Sequence, residues 1–190
     1  MNPERFATEY PERCLALLDA IEPIAEGNDL VGTFSVMLAS SVLIIPWERA
    51  RNRHPLTQEQ GGELQRRFRQ IERSRWLAAE FWQRDVPTSW RFSRIMGDPN
   101  NVPGWTDEQD RNSFSHEANT IQRRRVREVF RVLRNALAHG NVIYLDALGM
   151  ETPGNRVEHL AFLSRYEETD EQRQGAETYR LVTVKERDFL

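Results

Sequence analysis

Three side chains that could act together on a phosphodiester fall within one short stretch: Arg134, Asn135 and His139. Histidine, whose ordinary pKa is about 6.5, can accept or donate a proton near neutral pH. Arginine can bind a phosphate bidentately and stabilise the charge that develops on it in the transition state. Asparagine can orient the histidine or donate to a phosphate oxygen. Because RNA supplies its own nucleophile, the 2′-hydroxyl, such a set could cleave RNA without a metal ion.

The spacing of apolar residues predicts that this set lies at the end of a long helix, from about residue 115 to residue 138. An apolar stripe typical of one buried helix face recurs at i, i+4, i+7 and i+11: Val126, Phe130, Leu133 and Leu137. Gly140 follows at the position of a C-terminal cap, where a left-handed residue is common.

Helix geometry predicts which of the candidate residues share one face of this helix. Arg131, Asn135 and His139 follow one another at intervals of four, so they would line up along the last two turns. Arg134 and His139 would point apart on an ideal helix. They meet only if the backbone is distorted or if they come together across an interface between chains.

Arginine dominates the approach to this stretch, with six arginines from Arg123 to Arg134 against the single Glu128. Arginine is the better bidentate phosphate ligand, so we expect four of these residues to bind RNA: Arg123, Arg124, Arg127 and Arg131. An alternative stays open at this point. Arginines along a helix face are often solvated or paired, and a histidine before a terminal glycine is often a cap that binds a carbonyl group.

The first half of the chain predicts further helices. One begins near Pro11, a second is capped by Asp29 and runs to Ile45, and a third runs from Thr57 to Arg73. From about residue 74 to residue 114, prolines, glycines and aromatic residues predict a loop-rich insertion with a short helix at 77–83. Its aromatic residues could stack on bases or could pin the insertion to the helices.

The tail changes its pattern, and residues 142–185 are β-prone. Three strands are predicted, at Val142–Leu145, Val157–Tyr166 and Thr178–Lys185. Together they suggest a small antiparallel ribbon or sheet at the C-terminal end. The whole chain, 1–190, is therefore predicted to be a single, mainly α domain: a helical bundle with a small C-terminal antiparallel β ribbon.

Composition narrows the classes of function. The formal net charge of −3 argues against a uniformly basic nucleic-acid binder, so any RNA affinity has to be local. Cys14 is the only cysteine, which excludes an intrachain disulfide or a cysteine-based zinc site and fits a cytoplasmic protein. The other histidines lack ligand spacing, and there is no Gly-rich phosphate loop, so we expect no metal and no cofactor. The longest apolar run, Val31 to Ile45, is too short to cross a membrane.

The stretch Arg134-Asn135-Ala136-Leu137-Ala138-His139 resembles the Arg-x4-6-His motif of the HEPN superfamily, in which a polar residue often follows the arginine. The β-rich segment after Gly140 resembles a plasmid-borne, toxin-associated branch. The resemblance implies an all-α bundle and a homodimer joined through the face that carries the motif. It also implies a metal-independent endoribonuclease in which Arg134 holds phosphate, His139 moves protons and Asn135 orients.

On this resemblance the partners would be RNA, a second copy of the chain and an antitoxin protein, in a toxin or phage-defence setting. Two motifs across a two-fold axis would form one composite site. The alternative is a relative that keeps the bundle as a non-catalytic RNA-binding or protein-interaction module.

Overall fold

The computed structural model describes residues 6–44, 61–82, 88–96, 101, 119–154, 156–165 and 178–190. The helices are α1 (Phe6–Gly27), α2 (Val31–Ala39, continued by a π-helical turn, Ser40–Ile44), α3 (Gly61–Arg73), α4 (Val126–His139) and α5 (Glu186–Phe189). The strands are β1 (Arg91–Met96), β2 (Val142–Leu145), β3 (His159–Arg165) and β4 (Thr178–Lys185). Two 3-10 turns, Trp76–Ala78 and Ile121–Arg123, precede β1 and α4.

The four strands form one antiparallel sheet in the order β1-β4-β3-β2. Its register aligns apolar residues across all four strands in a single row: Phe92, Val182, Phe162 and Val142. Cross-strand pairs of aromatic and β-branched residues of this kind stabilise a sheet. The alternation of side chains along each strand then places this row on one face.

Helix α4 covers that face and contributes more buried apolar residues to the core than any other described helix. Its wide apolar surface is fully buried against the row of sheet residues: Val126, Val129, Val132, Leu133 and Ala136. Phe130 and Leu137, the other members of the predicted stripe, are partly buried in the same cluster. The stripe predicted from the sequence is therefore confirmed, and it is broader than four residues.

The opposite face of the sheet is buried too. A second cluster of side chains from all four strands lies there: Ile95, Leu145, Ala161, Leu163 and Leu181. A sheet with both faces buried is a central layer of the fold.

The prediction of a mainly α bundle with a small C-terminal ribbon is therefore wrong, because the sheet is a central, four-stranded layer in an α and β fold. The three predicted tail strands are present as β2, β3 and β4, and β1 pairs along its whole length with β4. Strand β1 comes from the stretch that was predicted to be loop-rich. Its sequence, RFSRIM, does not alternate between polar and apolar residues, because Arg91 and Arg94 interrupt the pattern. Its partner strand, β4, lies more than eighty residues further along the chain.

Several predicted helix boundaries differ in the structure. Helix α1 begins at Phe6 and continues through Pro11 and Pro23. Asp29 does not cap α2, because its φ of 57° is left-handed and Leu30 holds the cap position. The short helix expected at 77–83 is a 3-10 turn. The capping pattern at Thr57 lies outside the described residues.

The long helix also starts later than predicted. A 3-10 turn and an extended residue, Arg124, precede its first residue, Val126. Residues 115–118 lie outside the described ranges. Its end is as predicted, because Gly140 adopts a left-handed φ of 71°.

Helices α1 and α2 form a hairpin whose outer surface leaves large apolar side chains exposed. Four of them are 52% to 66% exposed: Leu17, Ile24, Leu30 and Met37. They line an apolar groove of about 700 Å³ between the two helices. No helix in the described ranges has the length and apolar composition needed to cross a bilayer.

Candidate functional site

The N-terminal end of α4 is fixed by contacts with the segment that follows α3. The backbone N–H of Val126 donates to the Ser74 carbonyl at 3.0 Å, and the Trp76 N–H donates to the Arg124 carbonyl at 2.8 Å. The Arg75 guanidinium donates to the Arg123 carbonyl. The backbone of the Arg-rich approach is therefore part of the framework.

Glu128, in the first turn of α4, caps the N-terminal end of the helix. Its carboxylate accepts the backbone N–H of Arg125 at 2.8 Å and a guanidinium N–H of Arg124 at 3.1 Å. Burial alone would raise the pKa of Glu128, but these two hydrogen bonds and the nearby charges of Arg124 and Arg180 outweigh it and lower the pKa. Because the carboxylate satisfies a backbone donor in the first turn, it acts as a cap.

Arg124 is held on both sides by the fold. Besides its ion pair with Glu128, its guanidinium carbon lies 4.3 Å from the centre of the Phe92 ring. A half-buried arginine placed between a carboxylate and an aromatic face stabilises the junction of helix and sheet. The structure thus assigns a structural contact to one of the four arginines predicted to bind RNA.

The other three arginines of that set have exposed side chains: Arg123, Arg127 and Arg131. Arg127 and Arg131 are one turn apart on α4, so they lie on the same side of the helix.

The C-terminal end of α4 brings Arg134 and Asn135 together. The Asn135 Oδ1 atom accepts two hydrogen bonds from Arg134, at 3.2 Å from Nε and 2.7 Å from Nη2. The Asn135 Nδ2 atom donates to the Ser164 hydroxyl at 3.1 Å. Both helix residues are half-buried, whereas Ser164 is buried on β3. The amide therefore links the guanidinium of Arg134 to the sheet.

His139 occupies the last position of the helix, with an exposed side chain. The chain turns away from it through Gly140. The backbone N–H groups of Gly140 and Asn141 both donate to the Ala136 carbonyl, so the end of the helix is capped by the backbone. The imidazole makes no hydrogen bond with any other residue that the structure describes. It is placed where cations are favoured, at a helix C-terminus.

The structure does not bring His139 to Arg134 within one chain. They are five residues apart on a regular helix, which separates them by about 140° around its axis. The helix has no break near Ala138, since α4 runs unbroken to His139. Of the two routes by which the sequence allowed these side chains to meet, only an interface between chains is compatible with this geometry.

Two residues near the site were not found from the sequence. Ser164 contacts Asn135, and Arg180, only 6% exposed, lies opposite Ser164 in the register of β3 and β4. Ser164 follows Phe162 by two residues and Arg180 precedes Val182 by two, so each is a polar residue on the buried face of its strand, which is the signal that could have indicated them. Neither is near the motif in sequence, so spacing along α4 could not reveal them.

Comparison with known families shows which superfamily the chain belongs to. A family model described as HEPN pEK499 p136 matches residues 1–189. The chain belongs to the HEPN superfamily. This confirms the resemblance drawn from the Arg-x4-6-His motif, including its plasmid-borne branch. Comparison with curated proteins and with solved structures gave no match.

Membership connects this HEPN domain, at the level of the superfamily, with nuclease or other RNA-related activity. The all-α bundle that the resemblance implied does not hold for this HEPN chain, since β3 and β4 carry the residues behind its motif. Within the described ranges, this HEPN domain has no group of three or more His, Cys, Asp or Glu residues that could hold a metal ion.

Proposed function

We propose that this HEPN protein is a metal-independent endoribonuclease that cleaves RNA by attack of the 2′-hydroxyl. The observation that carries the proposal is the contrast at the end of α4. Arg134 is half-buried and oriented by two hydrogen bonds to Asn135, whereas His139 is exposed and bonded to no described residue. An oriented cation and an accessible imidazole, brought to one phosphate, are the minimum set for this chemistry.

In the proposed reaction a histidine removes the proton of the 2′-hydroxyl, and the resulting oxygen attacks the adjacent phosphorus. The bond from phosphorus to the 5′-oxygen breaks, and a second histidine returns a proton to that leaving oxygen. The products are a 2′,3′-cyclic phosphate and a 5′-hydroxyl end. Arg134 offsets the negative charge that develops on the phosphoryl oxygens, and Asn135 holds its guanidinium in place.

The proposal requires a second copy of the chain, because Arg134 and His139 point to different sides of α4. In a two-fold dimer through the face that carries the motif, Arg134 of one copy and His139 of the other border one cleft. The two-fold axis also supplies the two histidines that the proton transfers need. RNA would approach along the exposed side of α4, where Arg127 and Arg131 contact its phosphates.

The test compares cleavage of a single-stranded RNA by the wild-type protein and by His139→Ala, both in EDTA. We expect the wild-type protein to leave 2′,3′-cyclic ends and the variant to lose at least a hundredfold in rate, the smaller end of the usual contribution of acid–base catalysis. Because His139 is exposed, its replacement should change stability by no more than about 0.5 kcal/mol. Cleavage that persists in His139→Ala, or that chelation abolishes, contradicts the proposal.

One observation favours a second candidate, a protein-interaction module without catalysis. The apolar groove between α1 and α2 leaves large hydrophobic side chains exposed, as protein interaction sites do. An antitoxin protein is a partner that would suit a toxin of this superfamily, and the groove could serve a catalytic or a non-catalytic protein. Salt-dependent RNA binding without cleavage would favour this candidate over the nuclease.

A further inference from the structure

The hydroxyl of Ser164 lies between the candidate site and the sheet. It accepts a hydrogen bond from Asn135 Nδ2 at 3.1 Å and donates to the backbone carbonyl of Arg165 at 3.4 Å. Because Ser164 is only 4% exposed, water does not compete freely for either bond. The hydroxyl has a single proton, and the Arg165 carbonyl accepts it. Its lone pairs face the asparagine.

The hydrogen bonds to Arg134 and Ser164 fix which side of the Asn135 amide carries the oxygen. Turned by 180°, the amide would present its oxygen to a hydroxyl whose proton is already bonded. It would also present its NH₂ group to the N–H groups of Arg134, which are donors as well. In the observed orientation the amide oxygen accepts from Arg134 and the NH₂ group donates to the hydroxyl oxygen of Ser164. The guanidinium has only donors and requires the amide oxygen, and the Ser164 hydroxyl holds the amide in that orientation from its other side.

The backbone keeps Ser164 beneath the end of α4. The Leu163 N–H donates to the Asn141 carbonyl at 3.0 Å, which joins β3 to the residues just after the helix. Strand β3 also pairs with β4 on its other side, where Ser164 is opposite Arg180. A hydroxyl on a central strand, held from both sides, is a rigid support for a side chain on the helix.

We infer that Ser164 is a positioning residue: through the Asn135 amide it fixes the orientation of the Arg134 guanidinium. The inference rests on the proposed function, because the importance of this orientation is that Arg134 binds the scissile phosphate. Ser164 touches neither the substrate nor the reacting atoms in this scheme. Its removal should lower the rate of the chemical step and leave substrate affinity nearly unchanged.

The experiment measures kcat and KM for RNA cleavage by Ser164→Ala in the full-length protein. We expect kcat to fall about tenfold, as for the loss of one buried hydrogen bond that acts in the transition state, with KM within about twofold. The matched control is Ser93→Ala, which removes another buried serine hydroxyl, from β1 on the opposite face of the sheet. That variant should leave kcat unchanged.

A double-mutant cycle separates positioning from a general weakening of the fold. In an Asn135→Ala background, Ser164→Ala should have no further effect on kcat, because the link to Arg134 is already broken. A tenfold loss that is repeated in that background, or an unchanged kcat in the single variant, overturns the inference.

A measurement without substrate distinguishes this inference from the proposed function. The side-chain NH₂ signals of Asn135, followed by NMR, should show slow hydrogen exchange in the wild-type protein and fast exchange in Ser164→Ala. If the wild-type protein does not cleave RNA, the proposed function fails, and this exchange measurement still tests the Ser164 link. Fast exchange in the wild-type protein overturns the link itself.

Discussion

The two ends of α4 are both rich in arginine, yet the fold uses them differently. At the N-terminal end Arg124 forms an ion pair with Glu128 and lies over the Phe92 ring. The backbone around it is hydrogen-bonded to the segment after α3. At the C-terminal end Arg134 is oriented by Asn135 and, through it, by the sheet, whereas His139 is exposed.

The difference shows that the partner of an arginine decides its role better than its spacing does. A carboxylate neutralises Arg124, and that pair stabilises a helix start. At the other end, two hydrogen bonds to the amide oxygen of Asn135 hold the Arg134 guanidinium in one orientation, which suits the phosphate contact that we propose for it. The contacts at the first end stabilise the fold, and for the second end we propose phosphate binding.

The largest expected effect comes from Arg134→Lys, which keeps the charge at the C-terminal end and removes the planar fork. Lysine cannot donate from two nitrogens to one amide oxygen, so the cation loses its fixed orientation. We expect kcat for RNA cleavage to fall about a hundredfold, comparable with the loss of one oriented donor to a transition state. The control is Arg131→Lys, on the exposed side of α4, which should change kcat by less than about threefold. Equal losses in both variants would mean that orientation by Asn135 does not matter.

A smaller effect is expected at the N-terminal end, on stability alone. Glu128→Gln removes the charge from the cap and from the Arg124 pair, so the free energy of unfolding should fall by about 1 kcal/mol at pH 7. Urea unfolding measures it, with Glu80→Gln, an exposed turn residue, as the control. The kcat of the folded variant should match that of the wild-type protein. A large loss of kcat would show that the two ends are not separate in function.

The same variant has a pH dependence with a defined sign. The pKa of Glu128 is lowered in the folded protein, so below its ordinary value of 4.5 the unfolded chain binds this proton first. The stabilisation from Glu128 is therefore complete above pH 4.5 and is lost as the pH falls through the lower, folded value. The difference in stability between the wild-type protein and Glu128→Gln should shrink with acidification. A difference that grows would contradict the direction of the shift.

The smallest effects are expected from the exposed arginines between the two ends. In a His139→Ala background, which prevents turnover, Arg127→Ala should weaken RNA binding by a few-fold. It should also reduce the slope of log affinity against log salt concentration by about 0.7, the value for one phosphate contact with a single strand. Arg124→Ala should instead lower stability, with little change in that slope. The reverse pattern would show that Arg124 contacts RNA and that Arg127 stabilises the fold.

Local patterns predicted α4 well, because its apolar stripe and its terminal glycine are properties of nearby residues. The same holds for β2, β3 and β4, whose runs of β-branched and aromatic residues are short and continuous. The sheet as a layer was not predicted, since β1 is recognisable only by its pairing with β4. Pairing of this kind depends on the burial of both faces, which no single stretch encodes.

The residues of the candidate site also differ in how well the sequence could predict them. Arg134, Asn135 and His139 could be selected from residue chemistry and from their position at a helix end. Ser164 could not, because it joins the site through a contact between residues 29 positions apart. Arg124 lies in a basic run, and that run gave no sign of its contact with the Phe92 ring.

The most direct test of the central claim, that Arg134 and His139 are halves of one site completed by a second chain, is a mixing experiment. Wild-type and His139→Ala chains are unfolded together in equal amounts and refolded, so that about half of the dimers are mixed and carry one histidine instead of the two that the proposed proton transfers need. Only the wild-type dimers, about a quarter of the total, should cleave RNA, so the activity should be about a quarter of that of the same total amount of wild-type protein. An activity of about half, which chains acting singly would give, contradicts the account.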